Sequence, residues 1–175
     1  GAKMAFTAGG GAISGSVSGG CVEGAVIAAG DETLATGRPQ LLHFGVADET
    51  AWGVGLACGG TIDVFVERLD LASYEIAHKW IVNAQTGALL TLIRGPEQWL
   101  GRKLAVENGA VVAGSMEPGL DEPAVALVAA TRQPGPARLA EGVEVFVDWL
   151  RPAPSLAIVG GAHIAVALAR LAKVL

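Results

Sequence analysis

The sequence predicts a mixed α/β fold: a mixed α+β N-terminal domain followed by the first strand–helix (βα) unit of a second domain. Two observations carry this. Apolar residues switch between the alternating spacing of strands, as in 61–68, and the three-to-four spacing of helices, as in 71–84. A proline pair, Arg151-Pro152-Ala153-Pro154, stiffens the chain and forbids a helix running through it. Residues 1–150 read as one domain, and 155–175 read as the start of another, incomplete.

The elements follow in order. Residues 3–6 and 12–17 flank Gly9-Gly10-Gly11 and predict a hairpin. From Cys21, apolar residues at Val22, Ala25, Val26 and Ala29 mark a helix that ends at Gly37 and Pro39. Residues 41–46 and 61–68 are strand-like, with a loop over 48–60. Leu71, Tyr74, Ala77 and Ile81 set a helix that Gly87 closes. A strand follows over 88–93. Asn108-Gly109 between 104–106 and 110–113 is a type I′ hairpin signal. Residues 120–131 predict a helix with Asp121 and Glu122 in its first turn and Pro123 near its start. Residues 143–149 and 155–159 predict strands, and a last helix starts near Ala162. No internal repeat is visible.

Composition narrows the function. The chain has 175 residues, 51% hydrophobic and 17% charged, so it can bury a core. Twelve Lys and Arg against 17 Asp and Glu give a net charge of −5. No window clusters basic residues, so neither a nucleic-acid backbone nor an anionic membrane surface suits it as a partner. Two cysteines are too few for a disulfide scaffold, and a cytoplasmic protein with reduced thiols is expected. The most apolar stretch, 156–175, carries His163, Arg170 and Lys173, which are costly in lipid. The N-terminus reads as truncated, and the chain stops inside a helical pattern.

The 25 glycines lie within apolar stretches rather than linkers, which suits tight turns or close backbone approach. Gly15-Ser16-Val17-Ser18-Gly19-Gly20-Cys21-Val22-Glu23-Gly24 is the most unusual segment. It reads as strand, glycine turn, helix start. A helix N-terminus favours a thiolate and offers N–H groups to an anion. Ser16 and Ser18 add donors, and Glu23 is placed to cap or orient the turn. The Gly-Lys-Ser/Thr ending of a P-loop is missing. Cys58-Gly59-Gly60 repeats the theme ahead of the 61–68 strand. The plain alternative for each cysteine is a small hydrophobe in a tight turn. His43, Asp48 and Glu49 would be needed to complete a zinc site, and nothing in the spacing compels one.

The string 15–24, followed by Gly45-Val46-Ala47-Asp48 and then by 54–67 with its Ala57-Cys58-Gly59-Gly60-Thr61-Ile62-Asp63, resembles the XdhC/CoxI family over roughly residues 1–70. The resemblance implies an accessory protein for molybdenum hydroxylases such as xanthine dehydrogenase and aerobic CO dehydrogenase. It implies binding of molybdenum cofactor, its sulfuration with a cysteine desulfurase, and its insertion into the apo-molybdenum hydroxylase. Ser16, Ser18, Gly19, Gly20, Cys21, Glu23, Cys58, Gly59 and Gly60 are then the cofactor-binding candidates, with Cys21 and Cys58 as transient molybdenum ligands. The chemistry is coherent: a glycine-rich helix N-terminus suits the molybdopterin phosphate, and a thiol suits a soft metal–sulfur centre.

A second candidate site is Gly160-Gly161-Ala162-His163-Ile164-Ala165, where a strand would turn into a helix. This is the context of a Rossmann-like dinucleotide fingerprint, and it also resembles the start of the same family's C-terminal domain. Ala162 stands where the second glycine belongs, and its methyl group obstructs a pyrophosphate. Gly160, Gly161 and His163 are the candidates for NAD(P) in the full-length protein.

The remaining candidates have bland readings. His43 is read as a satisfied structural histidine and His78 as a half-exposed surface residue. Asp48 suits a ligand contact or an Asx-turn equally. Ser16 and Ser18 have no general base at any indicated spacing, so no catalytic residue is assigned. Two cysteines cannot ligate even one Cys₄ iron–sulfur cluster. The leading reading is thus a cofactor chaperone rather than a catalyst. The alternatives are an NAD(P)-dependent oxidoreductase or xanthine dehydrogenase-related subunit, and a non-catalytic interaction module. A homodimer is left open. Three spatial expectations follow: Cys21 at a helix N-terminus facing a cavity, a separate unit after Pro154, and Cys21 and Cys58 converging on one site.

Overall fold

The computed structural model describes residues 2–45, 60–152 and 155–174. It is α/β, as predicted, with four helices and nine strands among those residues. β1 (Met4–Phe6) and β2 (Ile13–Gly15) form an antiparallel hairpin with Met4 opposite Gly15. α1 (Glu23–Thr36) follows. It ends where Gly37 turns left-handed at φ 76° and donates its N–H to the Thr33 carbonyl at 2.9 Å. β3 (Gln40–Phe44) and β4 (Ile62–Val66) pair antiparallel, Gln40 opposite Val66. Between them, Val46, Asp48, Glu49, Trp52, Cys58 and Gly59 lie outside the described residues, as do Ala153 and Pro154 of the expected boundary.

α2 (Leu71–Val82) starts at Asp70, whose carboxylate accepts the N–H groups of Ala72 and Ser73 and the Ser73 hydroxyl. Those bonds, led by the Ser73 hydroxyl, hold Asp70 below the usual aspartate range. β5 (Gly87–Arg94), β6 (Lys103–Glu107), β7 (Ala110–Gly114), β8 (Gly135–Ala140) and β9 (Val143–Leu150) form one antiparallel sheet in the order β7-β6-β5-β9-β8. α3 (Asp121–Ala130) covers it. The β6–β7 turn is the expected one, with Asn108 and Gly109 both at positive φ. α4 (His163–Ala172) is the last helix, and it buries no residue.

Three expectations are corrected. Gly87 does not close α2; Asn83 and the left-handed Ala84 do. Gly87 instead opens β5, where a Cβ would meet the Trp80 ring at 2.6 Å, so the glycine seats the buried indole. Residues 155–159 form no strand: they are exposed and pair with nothing among the described residues. An apolar run becomes a strand only where a neighbour satisfies its backbone groups. β8 was not foreseen, because Gly135-Pro136 reads as loop. It is an edge strand, where a proline costs no ladder bond.

The fourth correction is larger: the chain contains a structural repeat. Hairpin, loop, helix and hairpin occur as β1-β2-α1-β3-β4 and again as β6-β7-α3-β8-β9. Lys3 and Lys103 precede or open the first strand of each, and Gly15 and Gly114 end the second. Both glycines are left-handed, at φ 81° and 76°, and at both a Cβ would overlap a carbonyl oxygen, that of Lys3 and that of Lys103. Each unit has its own core. Val22, Val26, Phe44, Val64 and Val66 fill the first, with Met4 and Phe6 packed on it. Leu90, Leu92, Leu104, Val106, Val145 and Val147 lead the second.

Reciprocal ion pairs join the units. Lys3 Nζ meets Asp148 Oδ2 at 2.7 Å, and Lys103 Nζ bonds Glu67. Each lysine begins one unit's first strand region and each acid follows the last core valine of the other, Val147 or Val66. Such an exchange is the mark of a two-fold arrangement. The two pairs differ in burial: the Lys103 side chain is 10% exposed and the Lys3 side chain 63%.

Candidate functional site

The glycine-rich turn between β2 and α1 folds around one carboxylate. Glu23 is the first residue of α1 and reaches back into the loop. Its Oε1 accepts from Ser16 Oγ at 2.6 Å, Ser18 N at 2.9 Å and Val17 N at 3.2 Å. Its Oε2 accepts from Ser18 Oγ at 2.5 Å and Gly20 N at 2.8 Å. The two hydroxyls also accept, Ser16 Oγ from Gly19 N and Ser18 Oγ from Val22 N, both at 2.9 Å. Gly19 and Gly20 turn left-handed, at φ 75° and 118°, which lets the chain wrap the carboxylate.

The electrostatics follow from that ring. Hydrogen bonds from Ser16, then from Ser18, stabilise the charged form and hold Glu23 far below the usual glutamate range. The α1 dipole favours the same charge. The hydroxyls of Ser16 and Ser18 and the amides of Val17, Ser18 and Gly20 are therefore engaged by a built-in carboxylate.

Cys21 sits on the shoulder of this ring, between Gly20, whose N–H meets Glu23, and Val22, which is fully buried. It lies two residues ahead of α1 and is exposed. Cys21 is exposed, and it lines neither the cleft by His43 nor the one by Asp70. Gly60 is exposed at the approach to β4. Cys58 and Gly59 lie outside the described residues, and so does the expected meeting of Cys21 with Cys58. Among the described residues, no three His, Cys, Asp or Glu side chains gather as a metal site.

The second candidate site is open. Gly160, at φ 121°, Gly161 and His163 are all exposed, with His163 opening α4. Ala162 caps that helix without a side-chain hydrogen bond.

Two side-chain arrangements escaped the sequence reading. His43, read as a satisfied structural histidine, is exposed on β3, and the partner that satisfies it is Asp63 on β4, whose Oδ1 lies 2.6 Å from its Nδ1. The pair faces a cleft of about 520 Å³ shared with Leu41, Ile93, Arg94 and Leu100. The signal was the β3–β4 register, which puts His43 opposite Asp63 and was unknowable without pairing. His78 is exposed as expected, and stacks on Tyr74. Asp121, read as helix-start charge, repeats the Glu23 device: it accepts from Met116 N at 2.7 Å and Ser115 Oγ at 2.8 Å.

Comparison with known proteins bears on this region. Residues 1–45 match the model of the XdhC and CoxI family. The match covers the hairpin, the Glu23 ring, Cys21, α1 and β3, and ends just before the residues outside the description. No curated protein matches the chain. No helix among the described residues is long and apolar enough to cross a membrane.

Proposed function

We propose, from the match of residues 1–45 to the XdhC and CoxI family, that this chain serves molybdenum hydroxylases of the xanthine dehydrogenase and CO dehydrogenase type as an accessory protein. Its cargo is molybdenum cofactor, which it holds for sulfuration by a cysteine desulfurase and passes to the apo-enzyme. The observation that carries the reading is the exposed Cys21 thiol on the shoulder of the Glu23 ring, inside the matched segment.

The residues fit part of such a cargo. An exposed cysteine sulfur is a soft donor suited to a molybdenum–sulfur centre. The ring's amides do not fit the phosphate, because Glu23 already occupies them. In this reading the ring is a positioning device. It fixes the backbone on both sides of Cys21, so the thiol is held out with little loss of freedom on binding. Glu23 and the serines are positioning residues, and Cys21 is the contact.

The test is cargo retention. The chain is purified without oxygen from cells that make molybdenum cofactor, and bound pterin and molybdenum are measured. Pterin in proportion to protein is expected, falling by about tenfold or more in Cys21→Ser, a loss of ~1.4 kcal/mol or more. Equal pterin in Cys21→Ser and the parent removes Cys21 from the site. No pterin in either removes the cargo.

A further inference from the structure

The cleft by His43 is built from both units. One wall is the outer face of β3 and β4, where Leu41, His43 and Asp63 alternate with the residues of the α1 core. The other wall is the end of β5 and the loop after it, with Ile93, Arg94 and Leu100. The walls are clasped at the head of β3. Gly101 lies against Pro39, where a Cβ would come within 3.1 Å of the proline Cγ, and Arg38 pairs with Glu97 at 3.2 Å.

Two devices aim polar groups into this cleft. The first is a bulge in β5. Leu90 and Leu92 point into the core under α3, and strict alternation would send Arg94 there too. The register shifts between Leu92 and Arg94, which puts Arg94 opposite Glu144. Glu144 stands between the buried Val143 and Val145, so it takes the face away from that core, and Arg94 joins it. Arg94 Nε donates to Glu144 Oε2 at 3.1 Å. That bond fixes the guanidinium and leaves its Nη groups without a partner among the described residues. The second device is the Asp63 carboxylate. An ionised carboxylate only accepts, so its 2.6 Å contact puts a proton on His43 Nδ1 and leaves Nε2 as the free nitrogen. Residue 45 beside Nε2 is glycine, and a Cβ there would stand 3.5 Å from it.

We propose that this cleft binds a small phosphate monoester, its phosphate held between Arg94 and His43 and its organic body against Leu41, Ile93 and Leu100. A cleft of about 520 Å³ suits a ligand of that size. The Arg94 Nη groups form a fork for two phosphate oxygens. Protons select phosphate over carboxylate. The second pKa of a phosphate monoester is about 6, so near neutrality it still carries a proton for part of the time. Imidazoles exchange protons in the same range. One proton between Nε2 and a phosphate oxygen therefore serves both, whichever group holds it. A carboxylate, with a pKa of about 4, has none to give and depends on the imidazole alone.

Phenyl phosphate, benzoate and inorganic phosphate test the site at neutral pH, each titrated into the 175-residue chain while the histidine ring signals are followed by NMR. The chain has three histidines. Phenyl phosphate is expected to move the His43 signals and to leave those of His78 and His163 in place. It is expected to bind at least about tenfold tighter than benzoate, and tighter than inorganic phosphate, which lacks the apolar body. Arg94→Lys keeps the charge without the fork and is expected to weaken phenyl phosphate by about tenfold. Arg138→Gln removes an exposed charge away from the cleft and is expected to change nothing. No shift at His43, equal shifts at all three histidines, benzoate or inorganic phosphate as tight as phenyl phosphate, or equal affinity in Arg94→Lys overturns the proposal. The probes carry neither pterin nor molybdenum, so their failure leaves the cargo reading standing, and loss of that cargo leaves this site standing.

Discussion

The two halves of this chain solve one local problem with different reach. Each must turn from a hairpin into a helix, and each does so by sending the helix's first side chain backwards. Asp121 accepts two hydrogen bonds, from Ser115 and Met116. Glu23, one methylene longer in a loop one residue longer, accepts five. The shorter device is a cap. The longer one is a ring that orders a whole loop and leaves a thiol on its rim. The difference teaches that an anion-binding geometry is no sign of a bound anion when the chain carries its own.

The comparison is sharpest where burial differs. Lys103 and Lys3 make equivalent ion pairs, but Lys103 lies inside and Lys3 outside. Lys103→Met leaves Glu67 desolvated without a partner and is expected to cost about 3 kcal/mol. Lys3→Met is expected to cost under ~0.5 kcal/mol, and high salt should erase that difference. Urea unfolding of both variants checks it, and equal losses would break the distinction.

Next in size are the paired glycines. Gly15→Ala and Gly114→Ala each place a methyl group against a lysine carbonyl at positive φ. Each is expected to cost at least about 2 kcal/mol. If the units fold as one cooperative body, both variants give a single shifted transition. If they do not, Gly15→Ala splits the transition and leaves the five-stranded sheet behind.

The ring itself gives the third contrast. Glu23→Gln removes the charge that five donors address, so the amides of Val17, Ser18 and Gly20 are expected to exchange about tenfold faster or more. Asp121→Asn disturbs only the Met116 amide and the Ser115 hydroxyl, and a smaller, more local change is expected. The same measurement on Cys21→Ser is expected to leave the ring intact, because the thiol takes no part in it.

Acid separates two glutamates in opposite directions. Glu23 is depressed by its donors, so its stabilisation is present above the ordinary value of 4.5 and is lost only as pH falls through the lower folded value. Glu67 is raised, because burial outweighs its attraction to Lys103. Its protonated form is the better tolerated one, so its contribution is present below 4.5 and is lost as pH rises through the raised value. Lowering the pH from neutrality to about 4.5 is therefore expected to leave ring protection unchanged. Glu67→Gln should flatten the stability profile across the interval above 4.5. The smallest expected effect is at the second hairpin. Asn108→Gly, at φ 51°, should change stability by only a few tenths of a kcal/mol, since both residues accept that conformation.

Sequence alone determined what depends on neighbours along the chain. The helix ending at Gly37, the Asn108-Gly109 turn and the glycine-rich entry to α1 are local matters of φ, capping and periodicity, and they were legible. So was the segment that carries Cys21, because its run of small residues is distinctive by itself. What only the tertiary structure decided depends on pairing across distance. The edge strand β8 holds its place through β9, and residues 155–159 pair with no strand among the described residues. His43 meets Asp63 through a register 20 residues apart. The repeat was hidden because a strand needs only apolar residues at alternate positions. Met4 and Phe6 can stand for Leu104 and Val106, and only Lys, Gly and Ser at the points of tightest geometry keep a readable trace. Glu23 was correctly suspected of orienting its turn. That its carboxylate takes five hydrogen bonds from residues 16–20 became visible only in the structure.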